Sequence, residues 1–204
     1  MVDGGVVPQA PTRDYRKAEL LRIASSLFRQ RGYHGVGMRA IAEAAHIQAA
    51  SIYYHYASKE ELLYEAICIV DRDFILEQLP ILDREEMSYS SRLTSLIYAH
   101  LGHVATNLDI WWISATELRS LSGDNFAAIQ GYRRIYQDRI VQHIAAGIQA
   151  GEFDTPDPEL STLSMLDMLN GVHKWFQPNG RLSVDEIAEC YSEFSLRQLG
   201  VRGT

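Results

Sequence analysis

The chain has 204 residues, 47% hydrophobic and 22% charged, with a formal net charge of −7. That length supports one large domain or two small ones with a proper core. The sequence has no run of about 18 uncharged apolar residues for a membrane span, and "MVDGGVVPQAPT" lacks the basic start and apolar core of a secretory signal.

Residues 1–12 are expected to be a disordered tail. The only cysteines, Cys68 and Cys190, lie far apart. They fit a reducing cytoplasm, as two buried small hydrophobes with no disulfide favoured. From residue 13 the apolar positions Leu20, Ile23, Ala24, Leu27 and Phe28 follow the rhythm of an amphipathic helix over 13–31, which stops at Gly32. After the loop "YHGVG", a short helix begins at Met38, with Met38, Ile41 and Ala42 on one side. His46-Ile47 makes a tight connection to a second short helix, Ala49 to about Tyr56. Helix, short helix, turn, short helix is the layout of a braced helix-turn-helix, expected to fill residues 13–57. Charge agrees with this: residues 11–60 hold eight Lys/Arg against four Asp/Glu, whereas 61–204 hold eleven against twenty-one. A basic head on an acidic body suggests that one part meets a polyanion.

Ser58 with Glu61 reads as a capping box opening a helix that runs toward Pro80. Further helices are expected near 88–106, 108–121, 124–150, 157–177 and 183–199, separated by Asn107, Ser122-Gly123, Gly151 to Pro156 and Pro178-Asn179-Gly180. Ser183 with Glu186 is a second capping box. No convincing strand alternation appears, so the expectation is an all-α protein of about nine helices, with a second domain over 58–204.

The stretch "HIQAASIYYHYASKEELL" packs three tyrosines and a histidine into four positions. In a helix entering the DNA major groove, small residues allow close approach, and polar tips meet phosphates and base edges. Ala49 and Ala50 are the small residues; Gln48, Ser51, Tyr53, Tyr54 and His55 carry the polar tips, while Ile47, Ile52 and Tyr56 pack inward. On these residues alone, a half-buried amphipathic corner is an equal reading.

The stretch "GYHGVGMRAIAEAAHIQAASIYYHYASKEELL" resembles the DNA-binding domain of the TetR (tetracycline repressor) family. The matching pattern is Gly32-Tyr33, Ile41-Ala42, Ile52-Tyr53, Tyr54-His55-Tyr56, Ser58-Lys59 and Leu62-Leu63. Three positions depart from it: Gly37 stands where Thr or Ser is usual, His46 where Gly is usual in the turn, and Gln48 where Ser is usual. These put the operator sequence in doubt, not the fold. The resemblance implies double-stranded operator DNA as partner, with Arg39, Gln48, Ala49, Ala50, Ser51, Tyr53, Tyr54, His55 and Lys59 at the interface. It also implies a homodimer and a small-molecule effector held by the C-terminal part. The tail "GVHKWFQPNGRLSVDEIAECYSEFSLRQLG" is similar to tails of members that regulate sterol and fatty-acid catabolism and respond to acyl-CoA thioesters.

In the body, Trp111, Trp112, Glu117, Tyr136, Met165, Met168 and His173 are the candidate ligand-binding residues. Pockets between helices are mostly apolar with a few placed polar groups. Aromatic and Met stripes at helical spacing are, however, core more often than pocket. Without a Gly-rich anion cradle, a flat apolar, lipid, aromatic or acyl-CoA-like effector fits better than a phosphorylated sugar. Arg133, Arg134 and Arg139 are expected on a solvated face; Arg133, Arg134 or Lys174 would serve the nucleotide end of an acyl-CoA. The last two helices are expected to form the dimer. His100 and His103 share a helix face, but no fitting acid or Cys accompanies them as a zinc site. A ligand-responsive repressor is the first reading, and a non-switching DNA binder the second. An all-helical enzyme with His173 or His143 as base comes third, since no nucleophile elbow, phosphate loop or metal motif supports it. No catalytic residue, metal or cofactor is expected.

Overall fold

The computed structural model describes residues 13–201. The tail expected over residues 1–12 lies outside them. Among the described residues there is no strand, and nine helices follow one another: α1 (Arg13–Arg31), α2 (Met38–Ala44), α3 (Ala49–His55), α4, α5 (Tyr89–Thr106), α6 (Leu108–Thr116), α7 (Gly123–Gln149), α8 (Pro158–Gly171) and α9 (Val184–Gln198). Helix α4 is continuous but not uniform: Lys59–Cys68 is α-helical, Ile69–Asp73 is a π turn, and Phe74–Gln78 returns to α. Short 3-10 turns follow α4, α6 and α8 at Leu79–Asp83, Leu118–Ser120 and Val172–Lys174. No helix among the described residues is long and apolar enough to cross a membrane.

The element ends follow from local chemistry. Ser58 accepts the Glu61 backbone N–H at 3.0 Å, but the Glu61 carboxylate takes the N–H of Ala57 instead of closing the expected box on Ser58. Ser183 and Glu186 form the full reciprocal box. Helix α2 ends with the Ile47 N–H on the Ala42 carbonyl at 3.0 Å and the His46 N–H on that of Glu43 at 3.1 Å. That is a Schellman motif, and its left-handed position is filled by His46 at φ 54°. The same motif ends α7 and α9, where Gly151 and Gly200 take the left-handed position at φ 78° and 77°. A side chain in that region strains the backbone, so His46 carries a cost that glycine would avoid.

Two apolar cores form. One unites Leu20, Ala24 and Phe28 of α1 with Ile41, Ile52 and Tyr56, and it continues into Leu62, Leu63, Ala66 and Ile67 of α4. Ile113, Leu118, Leu121 and Ile129 complete it from the body. The other core holds the second half of α4, from Val70 and Phe74, with α5, α7, α8 and α9. Helix α4 is therefore a member of both. Cys68 is buried, but Cys190 is exposed on α9, contrary to the expectation that both are core residues.

Gly147 marks a close approach: a Cβ there would collide with the Phe153 ring, which is 3% exposed. Gly131, on the same helix, has open space around it. We predict that Gly147→Ala destabilises the protein by about 1–3 kcal/mol through overpacking, and that Gly131→Ala stabilises it by about 0.5–1 kcal/mol. Urea midpoints read both, and the same sign at both positions would refute the packing assignment.

Candidate functional site: a helix-turn-helix surface and a cavity in the body

Helix α3 has two unlike sides. Ile52 is fully buried, and Tyr56, just past the helix end, is 1% exposed. The Tyr56 hydroxyl donates to the Lys17 carbonyl at 3.3 Å, with the Lys17 ammonium 5.2 Å above its ring. On the other side Gln48, Ala50 and Ser51 are exposed, as are Tyr53 (54%) and Tyr54 (69%). Two tyrosines so far out of the core, on a helix with no acidic residue, form a surface suited to phosphates and base edges. Ala49 and His55 are half-buried, His55 with its ring edge-on to Tyr54 at 5.3 Å. Arg39 is exposed on α2. The tyrosine cluster is thus divided, one ring bracing the unit and two facing outward.

Lys59 has a prior commitment that its place in the sequence did not reveal. Its ammonium donates to the carbonyls of Tyr33 at 2.9 Å and Val36 at 3.0 Å, and lies 4.1 Å from the centre of the Tyr33 ring. Two of its three N–H groups therefore hold the α1–α2 loop against the start of α4.

In the body, a cavity of about 270 Å³ lies between α4, α5, α6, α7 and α8. Its apolar wall includes Phe74, Trp111 and Tyr136. The π turn of α4 brings Asp71 to the cavity, where its carboxylate would be stranded without a partner. Arg133 of α7 supplies one: Nε donates to one carboxylate oxygen at 2.7 Å and Nη2 to the other at 3.2 Å. Ser114 of α6 closes the ring, donating to Asp71 at 2.7 Å and accepting from Arg133 at 2.6 Å. π turns of this kind often mark functional positions in helices.

His100 also lines the cavity. Its Nδ1 lies 3.2 Å from the Tyr136 hydroxyl, and burial pushes its pKa down to about 3, so the ring is neutral near pH 7. Burial likewise raises the Tyr136 hydroxyl. His173 has its Nδ1 2.5 Å from the Asn170 carbonyl; a carbonyl only accepts, so Nδ1 carries the proton.

Of the residues expected to bind ligand, Trp111, Tyr136 and His173 line this cavity and the other four do not. Trp112, about 100° around the helix from Trp111, points to the joint between the two parts. There its ring lies 5.6 Å from the Arg29 guanidinium and edge-on to His173 at 5.9 Å. Glu117 lies past the end of α6 and accepts the Tyr33 backbone N–H at 3.2 Å, so it ties the joint instead of forming a polar end for the pocket. Met165 is core, at 2% exposure, and Met168 is half-buried outside the cavity wall. The stripe of α8 that faces the cavity is Leu163, Leu166, Asp167 and Asn170. Its i, i+3, i+4, i+7 spacing was available in the sequence, but nothing there distinguished it from the Met165–Met168 stripe. Arg133 does not lie on a free solvated face, whereas Arg134 is exposed and pairs with Asp138 at 3.6 Å. Arg139 pairs with Asp83 at 2.5 Å. His103 accepts the Trp111 indole N–H at 3.3 Å. Asp71 and Arg133 lie 62 residues apart, so sequence spacing gave no signal for their pairing.

Comparison with known proteins agrees with this geometry. Residues 20–66 match the family model "Bacterial regulatory proteins, tetR family", and residues 86–199 match "Tetracyclin repressor-like, C-terminal domain". The chain is similar to the transcriptional repressor KstR2 of Rhodococcus jostii, 26% identical over 178 residues, covering 86% of this chain and 87% of that one. Its fold is similar to the ketosteroid transcriptional regulator KstR2 of Mycobacterium tuberculosis, with a TM-score of 0.82 and 25% identity over 98% of this chain and 100% of that one. It is also similar to AibR, solved in complex with isovaleryl coenzyme A and operator DNA, with a TM-score of 0.77 and 27% identity over 88% and 97% of the two chains.

Two predictions arise from the site. Lys59→Met should lower the melting temperature by several degrees as well as weaken DNA binding, because it frees two carbonyls; Gln48→Ala, on an exposed side chain, should leave the melting temperature unchanged. Equal melting temperatures for the two variants would remove Lys59 from its loop-holding role. The second prediction concerns acid. Burial lowers the pKa of His100, His103, His143 and His173. The unfolded chain therefore takes up protons near pH 6.5 that the folded chain refuses. Stability should be full above about pH 6.5 and fall as the pH drops below it, continuing toward the His100 value of about 3. A urea midpoint unchanged between pH 7.5 and 5 would refute this.

Proposed function

Since the chain belongs to the TetR family of bacterial regulators, we propose that it is a homodimeric transcriptional repressor, released from its operator when a small apolar or acyl-CoA-like effector enters the cavity. The role is regulatory and not catalytic, and it is exercised on DNA in the cytoplasm. The observation that carries the reading is the double membership of α4. Its first half lies in the core of the reading unit, and Val70, Asp71, Phe74 and Ile75 of its second half line the cavity. An effector that favours one placement of the cavity wall favours one placement of the reading heads, and the coupling is reciprocal.

A two-fold dimer presents two copies of α3 about one DNA turn apart, and a small rotation of the heads spoils that match. Gln48 and Ser51 are assigned to base edges, Tyr53, Tyr54 and Arg39 to phosphates. The remaining N–H of Lys59 and the half-buried His55 join the polar contacts, while Ala49 and Ala50 allow the backbone to approach. Helices α8 and α9 are assigned to the dimer contact, supported by exposed Leu160 (61%) and Phe194 (51%) on them. The KstR2 and AibR relatives favour an acyl-CoA thioester or a ketosteroid-like skeleton as effector class.

The test is fluorescence anisotropy on a duplex taken from the chain's own promoter region. Affinity should fall with salt at a log–log slope of several units, because each neutralised phosphate releases counterions. Binding should also weaken at least tenfold when a saturating acyl-CoA of the right skeleton is added, with the protein remaining a dimer in sedimentation. A slope near zero would reject DNA binding, and a monomer at micromolar concentration would reject the paired-head mechanism.

A further inference from the structure

The charges around the cavity and a buried polar atom without a partner, among the described residues, specify more than its volume does. We infer that the cavity selects an apolar molecule carrying a neutral oxygen group, namely a ketone, hydroxyl, ester or thioester carbonyl held beside His100, and rejects the matching free carboxylate. This rests on the reading of the cavity as the effector site.

The charge balance comes first. The lining holds one permanent cation, Arg133, against two carboxylates, Asp71 and Asp167. The Arg133 charge is matched by Asp71 through the two hydrogen bonds at 2.7 and 3.2 Å, and Nη2 is further occupied by the Ser114 hydroxyl and carbonyl. Asp167 is exposed and adds a negative charge to the lining. The two lining histidines are held toward their neutral forms by burial. A carboxylate entering this space would lose its water, find no unmatched cation and face a like charge. A neutral oxygen loses far less on desolvation.

The second observation is the His100 ring itself. It is 1% exposed. Trp111 packs against it with centroids 5.0 Å apart, and the Phe74 ring meets it edge-on at 5.2 Å. Nδ1 is taken by the Tyr136 hydroxyl, and Nε2 is buried with no hydrogen-bond partner. The Asn170 side chain acts on the ring through a polar contact that opposes the effect of burial, but it makes no hydrogen bond of normal geometry to Nε2. An unpaired buried nitrogen is costly, and in native structures it usually has a partner. The Tyr136 hydroxyl can donate to Nδ1, which makes Nε2 an N–H donor for a carbonyl. It can instead accept from Nδ1–H, which leaves Nε2 as an acceptor for a hydroxyl. The pair thus suits either neutral oxygen group, and neither state offers a cation to an anion.

The experiment uses the full chain at pH 7.5 and two matched probe sets: 2-decanone, 1-decanol, decanoyl-N-acetylcysteamine and decanoate, and the ketone, alcohol and carboxylate of decalin. Binding is read by tryptophan fluorescence and by melting temperature. The neutral members of at least one set should bind at least tenfold more tightly than the carboxylate. His100→Phe should weaken the ketone about tenfold and leave the carboxylate unchanged, while Asp167→Asn, on an exposed side chain, should improve the carboxylate a few-fold. A carboxylate that binds the unaltered chain as tightly as its ketone overturns the inference and leaves the cavity's role standing; that comparison needs no variant to fold. A folded His100→Phe protein that binds the ketone like the parent overturns it too. If no probe in either set binds, the effector reading of the cavity fails, and this inference fails with it.

Discussion

A carboxylate with only 7% of its side chain exposed must find a counter-charge, and much of the body is arranged around that need. Asp71 sits in the π turn of α4, Arg133 on α7 and Ser114 on α6, so one buried charge fastens three helices at a single point. The arrangement is not an efficient source of stability, since desolvation of a buried pair offsets much of its attraction. Its effect is positional. It fixes the rotation of α4 where the helix passes from one core to the other, and it matches the one permanent cation of the cavity wall.

The joint between the two cores is held by a different kind of contact. Arg29 pairs with Asp109 at 2.5 Å, Glu117 takes the Tyr33 N–H, and Glu60 accepts the Ser122 N–H at 2.8 Å and the Asn125 amide at 3.1 Å. These groups are exposed or partly buried and therefore contribute little each. Apolar packing of α1 on α4 and α6 gives the joint its solidity, and the polar ties give it a register. A connection built this way can shift by a small rotation without losing its hydrophobic contacts.

The sequence made the helices legible because amphipathic rhythm and capping are local. Gly32, Ser58 and Ser183 marked ends within a residue or two of where they fall. The inward and outward tyrosines were legible too, since Ile52 and Tyr56 share one side of a short helix. The π turn was not, because the apolar positions from Leu62 to Phe74 continue through it without a break. The cavity was legible only in outline. Trp111, Tyr136 and His173 reach it, but a rotation of about 100° separates Trp111 from Trp112. Which of two adjacent rings faces inward depends on how helices distant in sequence are docked. Cys190 shows the same limit, because a small residue on an amphipathic helix carries no mark of its side.

The first core also bears on how such proteins are assembled from parts. Ile113, Leu118, Leu121 and Ile129 come from the body, yet they complete the packing around α1 and the start of α4. The reading unit does not own all of its interior. A cut at residue 57, between α3 and α4, would strip its core on one side and leave Leu62, Leu63, Ala66 and Ile67 behind. Heads and bodies of different relatives are therefore not interchangeable modules at that boundary. A working chimera has to carry both sets of residues, or close substitutes for them, along with the head they support.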